Sequence, residues 1–326
     1  MISYTIFGES HGPAIGVVIT GLPSGLALDM EAVAAEMARR APGQDKTSTP
    51  RKEKDAVEIL SGVFEGKTTG TPLCGVIHNT DTRSKDYSKL KDLPRPSHAD
   101  YTASLRYGGY SDYRGGGHFS GRLTAPLVFA GAVAKQLLAQ RGVSIASSIS
   151  MLGGMENPTP EQVEEIILAA KADSDSVGGA VQCTISGVPA GFGSPDLGEN
   201  AEGIFAKHLF AVPGVKGIEF GAGFGFAAMR GSQANDPFYM DGDTVKTVTN
   251  HAGGINGGIT NGMPVTFRVA MRPTPSIAKQ QQTVSLSAKT NESLVIEGRH
   301  DPCIVKRALP VIEAAAALAV CELMNI

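Results

Sequence analysis

TAPLVFAGAVAKQLLAQR, residues 124–141, reads as a helix: Leu127, Ala130, Gly131, Ala134 and Leu138 recur at helical spacing, and Gly142 stops it. Its small side chains predict close packing against another element inside the protein. A second helix is predicted over 304–324, IVKRALPVIEAAAALAVCELM. Lys306, Arg307, Glu313 and Glu322 interrupt that apolar run, so it reads as a buried core helix and not a membrane span.

The elements outward from these two helices are shorter. Residues 15–20 (IGVVIT) are rich in β-branched side chains and predict a strand leading out of the Gly8–Gly12 segment. Residues 29–40 predict a helix that Asp29 caps, with Arg39 and Arg40 opposing the dipole at its C-terminus and Pro42-Gly43 ending it. Strands are expected at 57–64 and 73–78, as a hairpin around a turn at 66–70, and again at 143–150, 178–187 and 265–271. Residues 158–173 read as an amphipathic surface helix opened by Thr159, and 200–212 as a further helix. No repeat or low-complexity linker appears, so a single domain over 1–326 is expected.

Net charge is −3 and the isoelectric point near 6.2, so there is no global basic field of the kind that marks a nucleic-acid binder. An anionic ligand must be met by local clusters of Lys and Arg. Cys74, Cys183, Cys303 and Cys321 show no C-x-x-C spacing, which argues against a zinc site or a disulfide framework and fits a reducing cytosol. The first residues, MISYTIFGESHG, carry neither a basic nor an apolar leader region, so a cytoplasmic protein is expected.

Chemistry concentrates in RPSHADYTASLRYGGYSDYRGGGHFSGR, residues 95–122, which holds two histidines, four arginines, four tyrosines and a glycine triplet in 28 positions. It has neither helical nor strand periodicity. Glycines beside arginine let backbone N–H groups approach an anion, and interleaved rings and guanidinium groups can stack on a planar, negatively charged ring system. A solvated Gly-Ser-Arg loop is the plainer alternative. Upstream, Arg39, Arg40, Lys46, Arg51, Lys52 and Lys54 put six cations in the sixteen positions 39–54, enough for a phosphate or carboxylate site if the loop folds inward. A second glycine-rich patch at 250–262 suits a loop pressed against a flat ligand, but no G-x-G-x-x-G bridges a strand and a helix there. His300-Asp301 precedes the last helix, where Asp301 either caps it or faces an anion site.

Taken together, FGESHG (7–12), RRAPGQ (39–44), EILSGVFEGKTTGTP (58–72), NTDTRSKDY (79–87), HADYT (98–102), DYRGGG (112–117), SGVPAGFG (186–193), RGSQ (230–233), NHAGGINGGI (250–259) and GRHDPC (298–303) resemble the chorismate synthase family over nearly the whole chain. The resemblance implies an α+β fold, a β-α-β sandwich with central helices between antiparallel sheets, assembled as a homotetramer. It implies a carbon–oxygen lyase of the shikimate pathway, the route to aromatic amino acids, that eliminates phosphate 1,4-anti from 5-enolpyruvylshikimate 3-phosphate to give chorismate. The step is redox-neutral yet needs reduced FMN, which by analogy lends an electron to the allylic phosphate or stabilises its departure, then takes the C6 hydrogen and recovers its electron. His11 matches the histidine that protonates the phosphate, His98 the one at the reduced flavin, and Asp301 an aspartate assisting proton removal from the flavin. Ser10 and Ser120 match hydroxyls of that relay. Flavin contacts carry over onto His118, Phe119, Ser120, Gly257, Arg272, Pro273, Thr274, Pro275, Ser276 and Arg299. Arg40 and Lys46 are expected to bind the substrate's acidic groups, with Arg39, Arg51, Arg106 and Arg114 as further candidates; no metal is implied.

Three places depart from the family pattern. Residues 39–46 replace two arginines of RRRPG-x-SR by Ala41 and Lys46, and lysine keeps the charge but loses the bidentate fork. His118-Phe119 stands where an arginine and a serine are common, and Pro213-Gly214 stands for Asn-Ala. The short, insertion-free chain points to the monofunctional type, served by an external flavin reductase, over the type that reduces flavin with NADPH. Two rival readings remain: a flavin oxidoreductase transferring hydride with His98 and Asp301, and a phosphate- or RNA-binding module built on 39–54. The negative net charge opposes the second, and neither a membrane nor a nucleic-acid partner is expected.

Overall fold

The computed structural model describes residues 1–43, 45–48, 55–80, 89–296 and 300–326. Four strands, β1 (Ser3–Gly8), β2 (Ala14–Thr20), β3 (Glu58–Ser61) and β4 (Leu73–His78), form an antiparallel sheet in the order β1-β2-β4-β3. Register pairs Ser3 with Thr20 and Ala14 with His78, so the buried Ile15, Val17 and Ile19 of β2 share a face with Leu73 and Ile77 of β4. The predicted hairpin at 57–78 is present, with a bulge between Ile59 and Ser61 and an added two-residue ladder at its tip. β1 was not expected from sequence.

Three α-helices precede the second sheet along the chain. α1 (Met30–Arg40) starts where Asp29 accepts from the amides of Glu31 and Ala32, both at 2.9 Å. α2 (Asp100–Arg106) was not expected from sequence: seven residues of the aperiodic stretch 95–122 form an α-helix. α3 (Thr124–Ala139) is buried almost all round, as expected of an interior helix, with Pro126 in the first turn where no intrahelical donor is lost.

The second sheet contains β5 (Ser144–Leu152), β6 (Met155–Glu156), β7 (Gly179–Ser186), β8 (Val215–Phe220) and β9 (Val265–Met271), antiparallel in the order β8-β9-β7-β5-β6. Its register aligns Phe267 with Cys183 and Cys183 with Ser147, so one inward row crosses three strands. α4 (Pro160–Ala172) runs along the surface behind a reciprocal Thr159–Gln162 capping box, and α5 (Ala201–Phe210) packs beside β8. The last helix, α6 (Val305–Leu323), packs on α3 on one side and on β5 and β7 on the other, while α3 faces β2 and β4. The layers are therefore sheet, α3 with α6, sheet: the β-α-β sandwich expected from the resemblance.

Close packing of the two helices depends on small residues, since a Cβ on Gly131 would lie 2.2 Å from that of Ala314. One charge sits between them. Glu313 of α6 is almost fully buried; it accepts from both terminal nitrogens of Arg39 (2.7 and 2.8 Å), from Lys135, and from the inward Ser147 Oγ at 2.7 Å. Burial would raise its carboxyl pKa, but these partners prevail and hold it at about 2. Short hairpins at 238–247, 255–260 and 281–294, also unforeseen, complete the described sheets.

Candidate active site

The glycine triplet places the candidate histidines. Gly115, Gly116 and Gly117 adopt φ of +59°, +83° and +52°, conformations that only glycine takes in succession without strain. A Cβ on Gly115 would fall 2.0 Å from His11 Nδ1, and one on Gly116 would fall 3.1 Å from His98 Cε1. The triplet thus threads between the two histidines, close to both. His11 follows β1 in a turn pinned by Asn79, whose amide donates to the carbonyls of Glu9 (3.0 Å) and Gly12 (2.9 Å). Only 8% exposed, His11 is a buried group and not a turn histidine facing water; its Nδ1 lies 3.3 Å from Ser10 Oγ.

His98 belongs to a network that opens α2. Its Nδ1 is 2.7 Å from Asp100 Oδ1. Arg95 grips the same carboxylate, donating from Nε to Oδ2 at 2.7 Å and from Nη2 to Oδ1 at 2.8 Å, and reaches Ser276 Oγ at 3.3 Å. Burial would raise the Asp100 pKa, but the bonds from Arg95 and His98 hold it well below the ordinary carboxylate range. His98 moves the other way: burial pushes it below the usual histidine value, with Arg95 and Arg272 adding to the effect and Asp100 opposing it. His300, deeper beside Arg95, is pushed by burial to about 4, and its buried Nε2 finds no hydrogen-bond partner among the described residues.

A second network supplies cations. Asp55, with a fully buried carboxylate, accepts from Arg40 Nη1 at 2.6 Å and from Arg122 Nη1. Arg40 also donates to Thr124 Oγ1 (3.1 Å) and to the Gly121 carbonyl (3.1 Å), and its own carbonyl accepts from Arg307 Nε at 2.9 Å. Arg307 in turn pairs with Asp301. Burial first, then the neighbouring Arg307, brings the Arg40 pKa down to about 10 against the pull of Asp55.

Both networks face one cavity of about 260 Å³. Of the residues predicted from sequence, Arg40, His98, Phe119, Ser120, Arg272, Thr274, Pro275, Ser276 and Asp301 line it; His11 and Ser10 lie directly behind Gly115, and Pro273 is held between its neighbours. Others lie elsewhere on this chain. Arg39 is committed to Glu313, exposed Lys46 pairs with Glu164, Arg114 pairs with Asp112, Arg106 is exposed at the end of α2, and Gly257 is at an exposed hairpin tip. His118 is near the surface with Nδ1 3.0 Å from the Gly8 carbonyl, whereas Phe119 tilts against Tyr107 with ring centroids 6.0 Å apart. Arg51 and Arg299 fall outside the described residues.

Sequence reasoning did not select Arg95, Asp100, Asp55, Arg122, His300 or Arg307. For Asp100 a signal existed, two residues after His98 and five after Arg95. For Asp55 none did, because its partners are 15 and 67 residues away. The cavity lining also has an apolar part, Val212, Pro213, Met271 and Ile304, with Gly214 leaving room where a Cβ would lie 3.1 Å from Ile304 Cδ1. Such a chamber takes a flat apolar body carrying negative charge. No helix among the described residues is long and apolar enough to cross a membrane.

Known proteins resemble the whole chain. A family profile described as chorismate synthase matches residues 2–324. Chorismate synthases of Dehalococcoides mccartyi and Thermococcus kodakarensis are 44% and 45% identical, each over 99% of this chain and 94% and 95% of their own lengths. That of Chitinophaga pinensis is 48% identical over 98% of this chain and 93% of its own. Among solved structures, one titled as the crystal structure of chorismate synthase superposes with a TM-score of 0.76 at 28% identity, covering 99% of this chain and 91% of that one.

Proposed function

This chain belongs to the chorismate synthase family, and from that premise we propose that it eliminates phosphate from 5-enolpyruvylshikimate 3-phosphate, 1,4-anti, to give chorismate as a carbon–oxygen lyase. The observation that carries the reading is the shared chamber: His98 and Asp301 line the same cavity as Arg40, Arg95, Arg122, Arg272 and Arg307, with His11 directly behind its Gly115 wall. Counting Asp55, Asp100 and Asp301 against those five arginines leaves a net positive chamber, suited to a substrate with two carboxylates and a phosphate.

The residues fit reduced FMN on the same grounds. The apolar wall of Val212, Pro213, Met271 and Ile304 offers a face to a planar ring, and Arg272 with the hydroxyls of Thr274 and Ser276 offers donors to charged edges and tail. Thr274 Oγ1 is buried without a partner among the described residues, which suits a ligand contact there. Reduced FMN supplies an electron-rich ring that assists departure of an allylic phosphate. Arg40, Arg122 and Arg307 hold anionic groups in place; Asp55 ties Arg40 to Arg122, and Arg307 is fixed by Asp301 and the Arg40 carbonyl, so little reorganisation is needed when charge develops on the leaving phosphate. His11, backed by Ser10, donates a proton to that phosphate. His98 would hold or move a proton beside the bound flavin, with Asp301 and Ser120, which line the same cavity, completing the relay.

Three further expectations belong to this reading. The chain aligns with curated relatives over 98–99% of its length, so it carries no long insertion of its own, which supports delivery of reduced flavin by a separate reductase and not by NADPH bound here. Exposed Phe224, Phe238, Met240 and Val248 support burial against further copies in a homotetramer, and a cytoplasmic location suits the four free thiols. The test is an anaerobic assay with chemically reduced FMN that follows phosphate, chorismate and flavin absorbance together. Stoichiometric products over many turnovers with the flavin still reduced are expected; flavin oxidised once per product would replace elimination by a hydride-transferring oxidoreductase. His11→Ala and His98→Ala should each lower turnover at least roughly 10²-fold, and near-wild-type rates in both would remove these roles.

A further inference from the structure

The geometry points to Asp100 as a positioning residue that fixes the tautomer of His98, keeping the proton on Nδ1 and presenting a bare Nε2 to the cavity. Only the identity of what Nε2 meets rests on the proposed function; the hydrogen-bond argument stands on the chain alone.

His98 Nδ1 has two polar neighbours, Asp100 Oδ1 at 2.7 Å and Arg95 Nη2 at 3.0 Å. An ionised carboxylate only accepts, and a guanidinium only donates. Were Nδ1 without a proton, its lone pair would face a carboxylate oxygen at hydrogen-bond distance, a repulsive contact in a buried place. With the proton there, Nδ1–H donates a charge-assisted bond, and Arg95 Nη2 spends a hydrogen on the same Oδ1 at 2.8 Å. Asp100 cannot turn away from this task. Arg95 holds its other oxygen through both Nε (2.7 Å) and the backbone amide (3.0 Å), and the carboxylate is only 9% exposed.

The opposite edge of the ring is kept open by the glycine triplet. A Cβ on Gly116 would come within 3.1 Å of Cε1 and 3.3 Å of Nε2. Among the described residues, the charged and titratable groups around the ring are Arg95 and Asp100 from its own segment, Arg272 beyond β9, and His300 before α6. Two cations and burial outweigh one carboxylate that is itself neutralised by Arg95, so Asp100 gives His98 its orientation without turning it into an imidazolium. The result is a neutral imidazole that accepts a proton at Nε2 and can return it.

Histidine-selective ¹⁵N labelling and a long-range ¹H–¹⁵N spectrum of the flavin-free protein distinguish the tautomers, with a His98→Gln spectrum assigning the signal among the seven histidines. The wild type should show the proton on Nδ1. In Asp100→Asn it should move in large part to Nε2, with kcat down roughly 10²-fold, KM within about threefold, and a displaced kcat–pH profile. Arg95→Lys, which keeps the charge and loses the fork, should give a mixture. An Nε2–H wild type overturns the proposal, as does an Asp100→Asn protein with unchanged tautomer and pH profile. If Asp100→Asn does not fold, the wild-type and Arg95→Lys spectra decide it. A wild type that shows Nδ1–H but makes no chorismate would remove the proposed function and leave this assignment standing.

Discussion

Adding one methyl group at Gly115 separates two effects that glycine substitutions usually mix. Gly115 has φ +59°, and its new Cβ would lie 2.0 Å from His11 Nδ1 and 2.1 Å from His11 Cε1, so the imidazole must move by more than an ångström or the triplet must unfold. Gly109 is the control: at φ +82° an alanine there meets nothing within 4 Å and carries only the left-handed backbone penalty, about 1 kcal/mol. Gly109→Ala should therefore lower Tm by about 2 °C and leave turnover within a few-fold. Gly115→Ala should lower Tm further, and its kcat should fall roughly 10²-fold, the usual result of displacing a reacting group by about 1 Å. Side-by-side thermal unfolding and anaerobic phosphate release measure both. Equal activities in the two variants would refute the claim that the triplet sets the position of His11.

Other expectations follow from the buried charges and the helix contact. Asp55→Asn removes the buried carboxylate that Arg40 and Arg122 share and should cost about 3 kcal/mol or more in urea unfolding, whereas a loss under about 1 kcal/mol would show that the two guanidinium groups do not depend on it. Gly131→Ala forces a methyl to 2.2 Å from Ala314 Cβ and should cost about 1–3 kcal/mol, with no effect on turnover per folded molecule. His300 titrates near 4 in the folded protein against 6.5 unfolded, so the unfolded chain binds the extra proton in between and stability must fall as pH drops through that window. The difference is worth at most about 3 kcal/mol, His98 adds to it in the same direction, and His300→Gln should flatten the slope of unfolding free energy against pH from 6.5 to 4.

What could be read from the sequence was local or already patterned. Asp29 and Thr159 announce their helices because a cap acts over three residues, and the strands at 179–186 and 265–271 are legible because one face of each is buried. α2 was missed because DYTASLR gains its start from Arg95 and Asp100, a bond between side chains and not an apolar rhythm. The family motifs named the histidines and most of the cavity wall, but motifs do not say which way a cation turns. Arg39 and Arg40 are adjacent, yet a helix sets successive side chains about 100° apart, so one meets Glu313 and the other Asp55. Asp55 itself acquires meaning only when α1 and the segment before α3 meet.

The order of layers has a consequence for biosynthesis. α6 separates the two sheets and contacts both α3 and the inward row of β5 and β7, yet it follows every strand of both sheets along the chain. Until residues 305–323 leave the ribosome, α3 and the inward row of β5 and β7 lack the helix that lies between them, and Arg40 lacks the Arg307 bond that ties it to Asp301. The nascent chain must therefore carry α3 and the second sheet incompletely covered through the later part of its synthesis, a state open to capture by chaperones or by neighbouring chains. Active protein should appear only once residues 305–323 have emerged.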